Sequence, residues 1–292
     1  MKKLTKIVAA GLLASLALSG AAVAADTPST HQDFEAKVFA GAKPGKTPKK
    51  GSIGSYLRPF HSDTWPAEGS KPTSSPAANQ GALNVTPPFA TAYAYIYLDK
   101  NVTWNTDSFP GCSEATMLTL APENNYGTCP KGSILGKGEA AGFVRGFGSA
   151  PGVFVTTSEL DTRVIASGEK NKFYLFTYNQ LTKANIIKAE VSKASGKWGQ
   201  RIKFILPRGL ILPIPGNLAQ LSSFDATIPA QSAKGKNLLT LKKCPSNKKL
   251  SIGFQNFYTN NATAKAGVNP TDGDDFVISS NSPVITRTGK CK

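Results

Sequence analysis

Alternation of apolar and polar residues with a period of two recurs along the chain from residue 91 onward. Residues 91–98 alternate small or aliphatic side chains with three tyrosines, and residues 183–192 and 249–255 alternate aliphatic side chains with polar or charged ones. Successive side chains of a strand point to opposite faces, so a period of two is typical of a strand with one buried face. Each segment therefore predicts a β-strand.

Shorter runs rich in β-branched and aromatic residues predict further strands, at 153–157, 173–179, 201–206 and 284–288. Glycine, asparagine and proline punctuate these runs, and the only local helical pattern lies at 113–121. This combination predicts an all-β protein, an antiparallel β-sandwich of the jelly-roll or immunoglobulin-like type. The pattern leaves open whether the sandwich has one lobe or two.

The N-terminal 24 residues have the pattern of a signal peptide. Three lysines precede the apolar run 7–18, and small residues follow at 22–24. The apolar run is shorter than the roughly 20 residues that a membrane-spanning helix needs. We therefore expect residues 1–24 to be removed, and the mature chain to be secreted or otherwise extracytoplasmic, at the cell surface or in a periplasm, without a transmembrane segment.

Composition divides the rest of the chain into three parts. Residues 25–58 form an N-terminal segment with a basic turn, residues 59–90 are a loop or linker rich in proline and serine, and residues 91–292 hold most of the strand signals. A long segment without apolar periodicity predicts an irregular surface connection. The main β domain is thus expected at 91–292.

The chain is strongly basic, with a formal net charge of +16, which becomes +13 when the signal is removed, because the signal contains three lysines and no acidic residue. A dispersed positive field favours anionic partners such as cell-wall polyanions, acidic glycans, anionic lipid or extracellular DNA, and the charge does not choose among them. No recognition-helix, zinc-finger or RNA-binding signature accompanies the charge, so we expect no sequence-specific nucleic-acid binding. The candidate contacts are Lys242, Lys243, Lys248 and Lys249.

Four cysteines in an exported chain predict two disulfides, although four cysteines allow three connectivities. We favour the local pairs Cys112–Cys129 and Cys244–Cys291, because each brackets strand-like sequence. A zinc site is the alternative, but neither a Cys-x-x-Cys motif nor a histidine partner supports it.

The glycine-rich stretch 129–143 resembles a phosphate-binding loop in composition. The spacing is wrong, however, because only three residues separate Gly132 from Gly136-Lys137, and Gly138 stands where a magnesium-binding hydroxyl is needed. We interpret the stretch as a turn pinned by Cys129. No cofactor is expected for the chain.

Two further clusters could bind ligands. The row Tyr93, Tyr95 and Tyr97 could form a stacking platform for sugars, or could serve plain cross-strand packing, which we favour because large aromatic side chains usually dominate cores. Outward-facing tyrosines would add weight to the platform. The cluster Asp272, Asp274 and Asp275 could supply oxygen ligands to calcium, although an Asp-Gly sequence is also typical of a turn, which we favour.

Catalytic motifs are sparse. The run His61-Ser62-Asp63 contains the residue types of a catalytic triad, but triads are assembled by folding rather than by adjacency in sequence. There is no Gly-x-Ser-x-Gly motif, and paired disulfides would leave no thiol. We therefore expect a non-catalytic protein, with a secreted hydrolase acting on cell-wall or extracellular polymers as the alternative. We also expect a monomer.

The apolar segment 208–216 contains two prolines that bar it from a central strand. It predicts either a buried loop that crosses one end of the fold or an exposed loop that contacts a membrane or a partner.

Several elements occur in a characteristic order: Phe-Pro-Gly-Cys at 109–112, Cys-Pro-Lys-Gly-Ser-Ile-Leu-Gly at 129–136, a late Cys-Pro at 244–245 and a C-terminal cysteine. In this order the chain resembles a family of secreted proteins common in actinobacteria, to which no function is assigned. The resemblance implies a secreted β-rich domain with the disulfide scheme given above. It supplies no catalytic or ligand-binding residues. On these grounds the expected function is that of an envelope-associated or extracellular binding or structural protein, retained on anionic polymers.

Overall fold

The structure is a computed structural model that describes residues 32–61, 90–121, 127–145, 154–179, 183–213, 218–259 and 263–292. The strands are β1 (Gln32–Phe39), β2 (Gly51–Ser52), β3 (Gly54–His61), β4 (Ala90–Asp99), β5 (Val102–Trp104), β6 (Ile134–Arg145), β7 (Phe154–Ala166), β8 (Lys172–Asn179), β9 (Lys183–Lys193), β10 (Trp198–Ile205), β11 (Ala219–Phe224), β12 (Ala226–Ile228), β13 (Ser232–Ala233), β14 (Lys236–Asn237), β15 (Leu239–Leu241), β16 (Lys249–Thr259), β17 (Ser280–Asn281) and β18 (Ile285–Lys290). The helices are α1 (Glu114–Met117), α2 (Arg208–Ile211) and a 3-10 turn (Gly273–Asp275).

One antiparallel sheet of 13 strands makes up most of the protein. Its order is β1-β3-β11-β6-β7-β8-β9-β10-β4-β16-β17, with β12 paired to β3 and β6, and β18 paired to β16. The sheet curls until β18 faces β1: Arg287 Nε donates a hydrogen bond to the Phe34 carbonyl at 2.7 Å, and the Arg287 guanidinium pairs with Asp33. The sheet is therefore a nearly closed barrel.

The prediction of an all-β, antiparallel fold is confirmed, but the two-layer sandwich is not found. A period of two requires only that one face of each strand be buried. A sandwich buries that face against a second sheet, and a curled sheet buries it against its own opposite side, so the two folds give the same pattern. Inside the barrel, aromatic rings from different strands meet, as Phe173 and Phe204 do with ring centroids 5.7 Å apart. Burial of each such side chain contributes roughly 1.5–3 kcal/mol.

The two ends of the barrel are closed differently. At the end that we call the lower end, a small sheet of β2, β15 and β5 covers the opening, and Trp104 stacks on Phe173 at 4.7 Å. At the upper end α2 lies across the opening, and its Ile211 is buried with Leu206 and Phe276. The described part of the apolar segment, residues 208–213, therefore crosses one end of the fold.

Both predicted disulfides are present, Cys112–Cys129 and Cys244–Cys291. The first holds the segment with α1 on the outer face of the barrel, where Met117 packs in a cluster with Phe176. The second joins the end of β18 to the connection between β15 and β16, at the lower end. No free cysteine remains among the four.

The glycine-rich stretch contains a turn and the first half of β6. A Cβ atom on Gly138 would overlap the carbonyl oxygen of Asp225, because β12 crosses β6 at this point. Glycine is therefore required for close approach of two strands. This placement agrees with the interpretation of the stretch as a turn leading into packed structure.

The N-terminal segment and the main β domain share the barrel sheet, because β1 and β3 pair with each other and β3 pairs with β11 and β12. The predicted signal peptide, 1–24, and residues 62–89 of the proline- and serine-rich loop lie outside the described residues. Within the described part, no helix is long and apolar enough to cross a membrane.

Candidate functional site

The tyrosines of β4 lie on the outer face of the barrel. Ala94 and Ile96 point inward and are buried, whereas Tyr93, Tyr95 and Tyr97 between and beside them are only partly buried. The alternation that predicts the strand also sets these two faces. This outward placement is what a platform needs, but the tyrosines also contact rings of the neighbouring strands, as cross-strand packing requires, so both interpretations stay predictions.

Two residues of neighbouring strands extend this row. Trp198 of β10 lies 5.6 Å from Tyr97, and Phe257 of β16 stacks on Tyr93 at 4.5 Å, measured between ring centroids. Tyr95 lies 5.8 Å from Tyr93 and 5.9 Å from Tyr97. We call these five residues, Phe257, Tyr93, Tyr95, Tyr97 and Trp198, the aromatic strip. It crosses three strands of the outer surface.

Three cations from β10 and the turn before it lie over rings of the strip. Lys203 lies 4.7 Å from the Tyr93 ring, and Arg201 lies 5.0 Å from the Tyr95 ring. Lys197 lies 4.6 Å from the Trp198 ring. Ring faces attract such cations, each contact contributing about 0.5–1 kcal/mol at an exposed site. The strip thus presents aromatic rings and positive charge together.

Tyr93 and Tyr97 add no negative charge to the strip. Burial raises the pKa of Tyr93 and of Tyr97 above the ordinary value of a phenol, with smaller contributions from neighbouring charges. Both hydroxyls therefore remain neutral at physiological pH. The Tyr97 hydroxyl donates a hydrogen bond to Gln255 Oε1 at 2.9 Å, which fixes the orientation of the side chain.

The lower end of the barrel collects exposed lysines around Cys244–Cys291. The Lys292 amide donates to the Pro48 carbonyl at 2.9 Å and the Cys291 amide to the Lys248 carbonyl at 3.0 Å, which brings three segments together. We call the resulting group the lysine end: Lys49, Lys50, Lys242, Lys243, Lys248, Lys249, Lys290 and Lys292, all exposed. Within the described part of the chain, none of these eight forms a salt bridge.

Two lysines of this group lie directly opposite each other, Lys249 on β16 and Lys290 on β18. Like charges at opposed positions of an antiparallel pair destabilise a sheet. An anion bound between the two would remove that cost. This pairing therefore gives the lysine end a specific reason to attract negative charge.

The aromatic strip and the lysine end share the same sheet face. On β16 the outward positions run from Phe257 through Gln255, Gly253 and Ser251 to Lys249, and Gly253 pairs with Tyr97. At about 3.3 Å per residue, Lys249 lies roughly 13 Å along the strand from the position beside Tyr97. One extended ligand could contact both regions.

The acidic cluster after β16 is engaged in its own turn. Asp272 caps the 3-10 turn by accepting from the Asp274 amide at 3.0 Å, and the Asp274 carboxylate pairs with Lys203 at 2.5 Å. Asp275 accepts from the amides of Thr271 and Asp272, which lowers the pKa of its carboxyl. In the described residues, no group of three or more histidine, cysteine, aspartate or glutamate side chains could hold a metal ion. The calcium interpretation thus finds no support, and the turn accounts for all three residues.

The residues that favour a hydrolase lie outside the part described here. Ser62, Asp63 and the side chain of His61 lie outside the described part. The backbone of His61, the last residue of β3, pairs with Gln32 of β1. The hydrolase alternative therefore rests on the sequence alone.

Sequence reasoning found the three tyrosines and four of the lysines, and the structure brings each set together. It missed Trp198, Phe257, Arg201, Lys290 and Lys292. Alternation in β10 and β16 could have placed Arg201 and Phe257 on an outer face. Which strands neighbour β4 was not available from any local pattern.

Comparisons of the chain with models of protein families, with curated proteins and with solved structures find no match. The fold and the outer face therefore define the protein only as an all-β, disulfide-bonded, nearly closed barrel.

Proposed function

We propose that the protein is a non-catalytic, extracytoplasmic binding protein that is retained on an anionic glycan of the cell envelope or its surroundings. The observation that carries this proposal is the continuous outer face on which the aromatic strip leads into the lysine end. Aromatic rings offer apolar surface to the faces of sugar rings, and the cations pair with carboxylates or phosphates.

Electrostatics supports an anionic partner. Eight exposed lysines gather at one end of a chain whose mature charge is +13. Such a field attracts polyanions and concentrates them near the surface. Surface charges remain exposed to screening, because the Debye length falls from about 10 Å at 0.1 M salt to about 3 Å at 1 M. Binding should therefore depend steeply on salt.

The two disulfides support an oxidising compartment. Disulfides persist in secreted and periplasmic proteins and are rare in the cytosol. The predicted signal peptide and the resemblance to a secreted actinobacterial family point the same way. The aromatic strip favours a glycan over polyanions that have no rings, because those would use only the charge.

The experiment is retention of the mature protein on isolated cell envelopes, followed by elution with a salt gradient. We expect retention at 0.1 M salt and release well below 1 M. A variant with Lys242, Lys243, Lys248 and Lys249 replaced by glutamine should elute earlier. The matched control carries the same lysine-to-glutamine change at four other exposed positions, on the side of the barrel that carries Cys112–Cys129: Lys131, Lys170, Lys183 and Lys188.

The control has the same net charge as the test variant but keeps the lysine end. It should therefore elute later than the test variant and close to the unmodified protein. Equal shifts for both variants would show that only total charge matters. No retention at low salt, or retention that salt does not change, would contradict the proposal.

A further inference from the structure

The barrel interior contains a cavity of about 100 Å³ in its upper half. Strands from around the barrel line it with Ala94, Leu175, Ile187, Phe204 and Phe254, and Leu210 of α2 closes it from above. These strands belong to the sheet itself, so the cavity lies within the main core. It is separate from the aromatic strip, which lies on the outside.

One polar atom in the cavity wall lacks a partner. Among the described lining residues, the polar side chains are Thr91, Thr177 and Asn256. Thr177 is 1% exposed, and its Oγ1 alone among these is a buried oxygen without a hydrogen-bond partner. By contrast, Asn256 Nδ2 donates to Gln32 Oε1 at 2.6 Å.

A neighbouring threonine on the next strand, by contrast, has a hydrogen-bond partner. Thr162 lies directly opposite Thr177 in the β7–β8 pair and is also fully buried. Its Oγ1 donates to the Leu160 carbonyl at 3.3 Å. A buried hydroxyl without a partner is costly, so native structures rarely leave one unpaired. The Thr177 hydroxyl is therefore available to a group that enters the cavity.

The size and lining of the cavity restrict what that group can be. An engineered apolar cavity of about 150 Å³ stays dry and binds benzene. A water molecule needs two to four polar partners, and Thr177 Oγ1 is the one buried side-chain oxygen without a partner among the described lining residues. A hydrocarbon would fill the space but leave Thr177 unpaired. A ring with one oxygen satisfies both the wall and the hydroxyl.

We propose that the cavity binds a compact, monocyclic apolar molecule with a single hydroxyl or carbonyl oxygen, held by a hydrogen bond to Thr177 Oγ1. The apolar walls contact the ring, and Thr177 selects the oxygenated ligand over the corresponding hydrocarbon. The site lies beneath α2, so ligand exchange takes place at the upper end. The inference is independent of glycan binding, since the two sites share no residue.

The test compares p-cresol with toluene, which have closely similar shapes and differ by the hydroxyl. Their dissociation constants are measured with the mature protein by titration calorimetry or ligand-detected NMR. We expect saturable binding of p-cresol. The affinity ratio of p-cresol to toluene should fall about 3- to 10-fold in Thr177→Val, the range that one hydrogen bond of about 1 kcal/mol represents.

Matched variants make the result specific. Thr162→Val removes an equally buried hydroxyl that does not line the cavity, so it should leave the affinity ratio unchanged. Thr177→Ser keeps the hydroxyl and should preserve the affinity ratio even if Thr177→Val is poorly folded. Ala94→Leu fills the cavity and should weaken both ligands. An unchanged ratio in Thr177→Val, a reduced ratio in Thr177→Ser, an equal fall in Thr162→Val, or no saturable binding of p-cresol would overturn the proposal.

Discussion

Tyr258 lies at the centre of a buried hydrogen-bond network in the upper half of the barrel. Its hydroxyl donates to Gln32 Oε1 at 2.8 Å, and Asn256 donates to the same oxygen. The network joins β1 to β16 across the β18 seam. Because the side chain is fully buried, desolvation raises the pKa of the phenol well above its ordinary value near 10. The folded state therefore holds this proton more tightly than the unfolded state does.

This shift predicts a loss of stability in alkali. The contribution is complete below pH 10, where Tyr258 is protonated in both states. It declines as the pH rises above about 10, because the unfolded phenol then loses its proton and the folded one does not. The test is urea unfolding of Tyr258→Phe and of the unmodified protein between pH 8 and 11.5. The variant should be less stable at pH 8. Its free energy of unfolding should fall less steeply with pH than that of the unmodified protein, the slopes differing by up to about 1.4 kcal/mol per pH unit.

Two other tyrosines serve as an internal control. Burial also raises the pKa of Tyr56 and of Tyr174 to about 12, and both remain in the variant. The difference between the two slopes therefore reports Tyr258 alone. Identical slopes for the two proteins would show that Tyr258 ionises equally well in the folded state.

At the scale of elements, the seam between β18 and β1 is the point where the barrel closes. β18 has only six residues, and its hydrogen-bonded neighbour is β16. Arg287 holds β18 beside β1, and the disulfide Cys244–Cys291 ties the C-terminal end of β18 to the connection before β16. The other disulfide, Cys112–Cys129, lies in an outer layer over β7 and β8. The two bridges therefore stabilise different parts of the structure.

Removal of each bridge should separate these roles. On the chain-entropy model, a bridge that spans 47 residues contributes about 4 kcal/mol and one that spans 17 contributes about 3 kcal/mol. Cys244→Ala with Cys291→Ala should speed hydrogen exchange in β18 and β1. Cys112→Ala with Cys129→Ala should instead affect α1 and the nearby outer layer. Exchange that rises in the same strands for both variants would contradict this assignment.

Local patterns predict strands well because a strand's two faces are visible in its own residues. Alternation located β4, β9 and β16, and the spacing of cysteines gave both disulfides. The closure of the barrel depends on contacts between distant residues, such as Phe34 with Arg287, which no local pattern encodes. For the same reason the alternation within β4 identified Tyr95, whereas Trp198, which lies on the neighbouring strand β10, was missed.

At the scale of the whole molecule, the protein has one outer face that combines rings with charge and one apolar interior. The lower end carries the lysines, and α2 covers the upper end. A polymer that lies along β16 would meet the aromatic strip and then the lysine end. We propose that the strip recognises sugar rings and that the charge supplies the general attraction.

The central claim is that the strip recognises sugar rings as well as charge. The most direct measurement is the affinity of a Tyr95→Ala, Trp198→Ala double variant, relative to the unmodified protein, for oligogalacturonate and for polyglutamate of similar charge. Both polymers carry carboxylates, but only the first has sugar rings. We predict that the variant loses about fivefold or more in affinity for oligogalacturonate, since each of the two stacking contacts contributes about 0.5–1.5 kcal/mol. Its affinity for polyglutamate should change little. Equal changes for the two polymers would contradict the account.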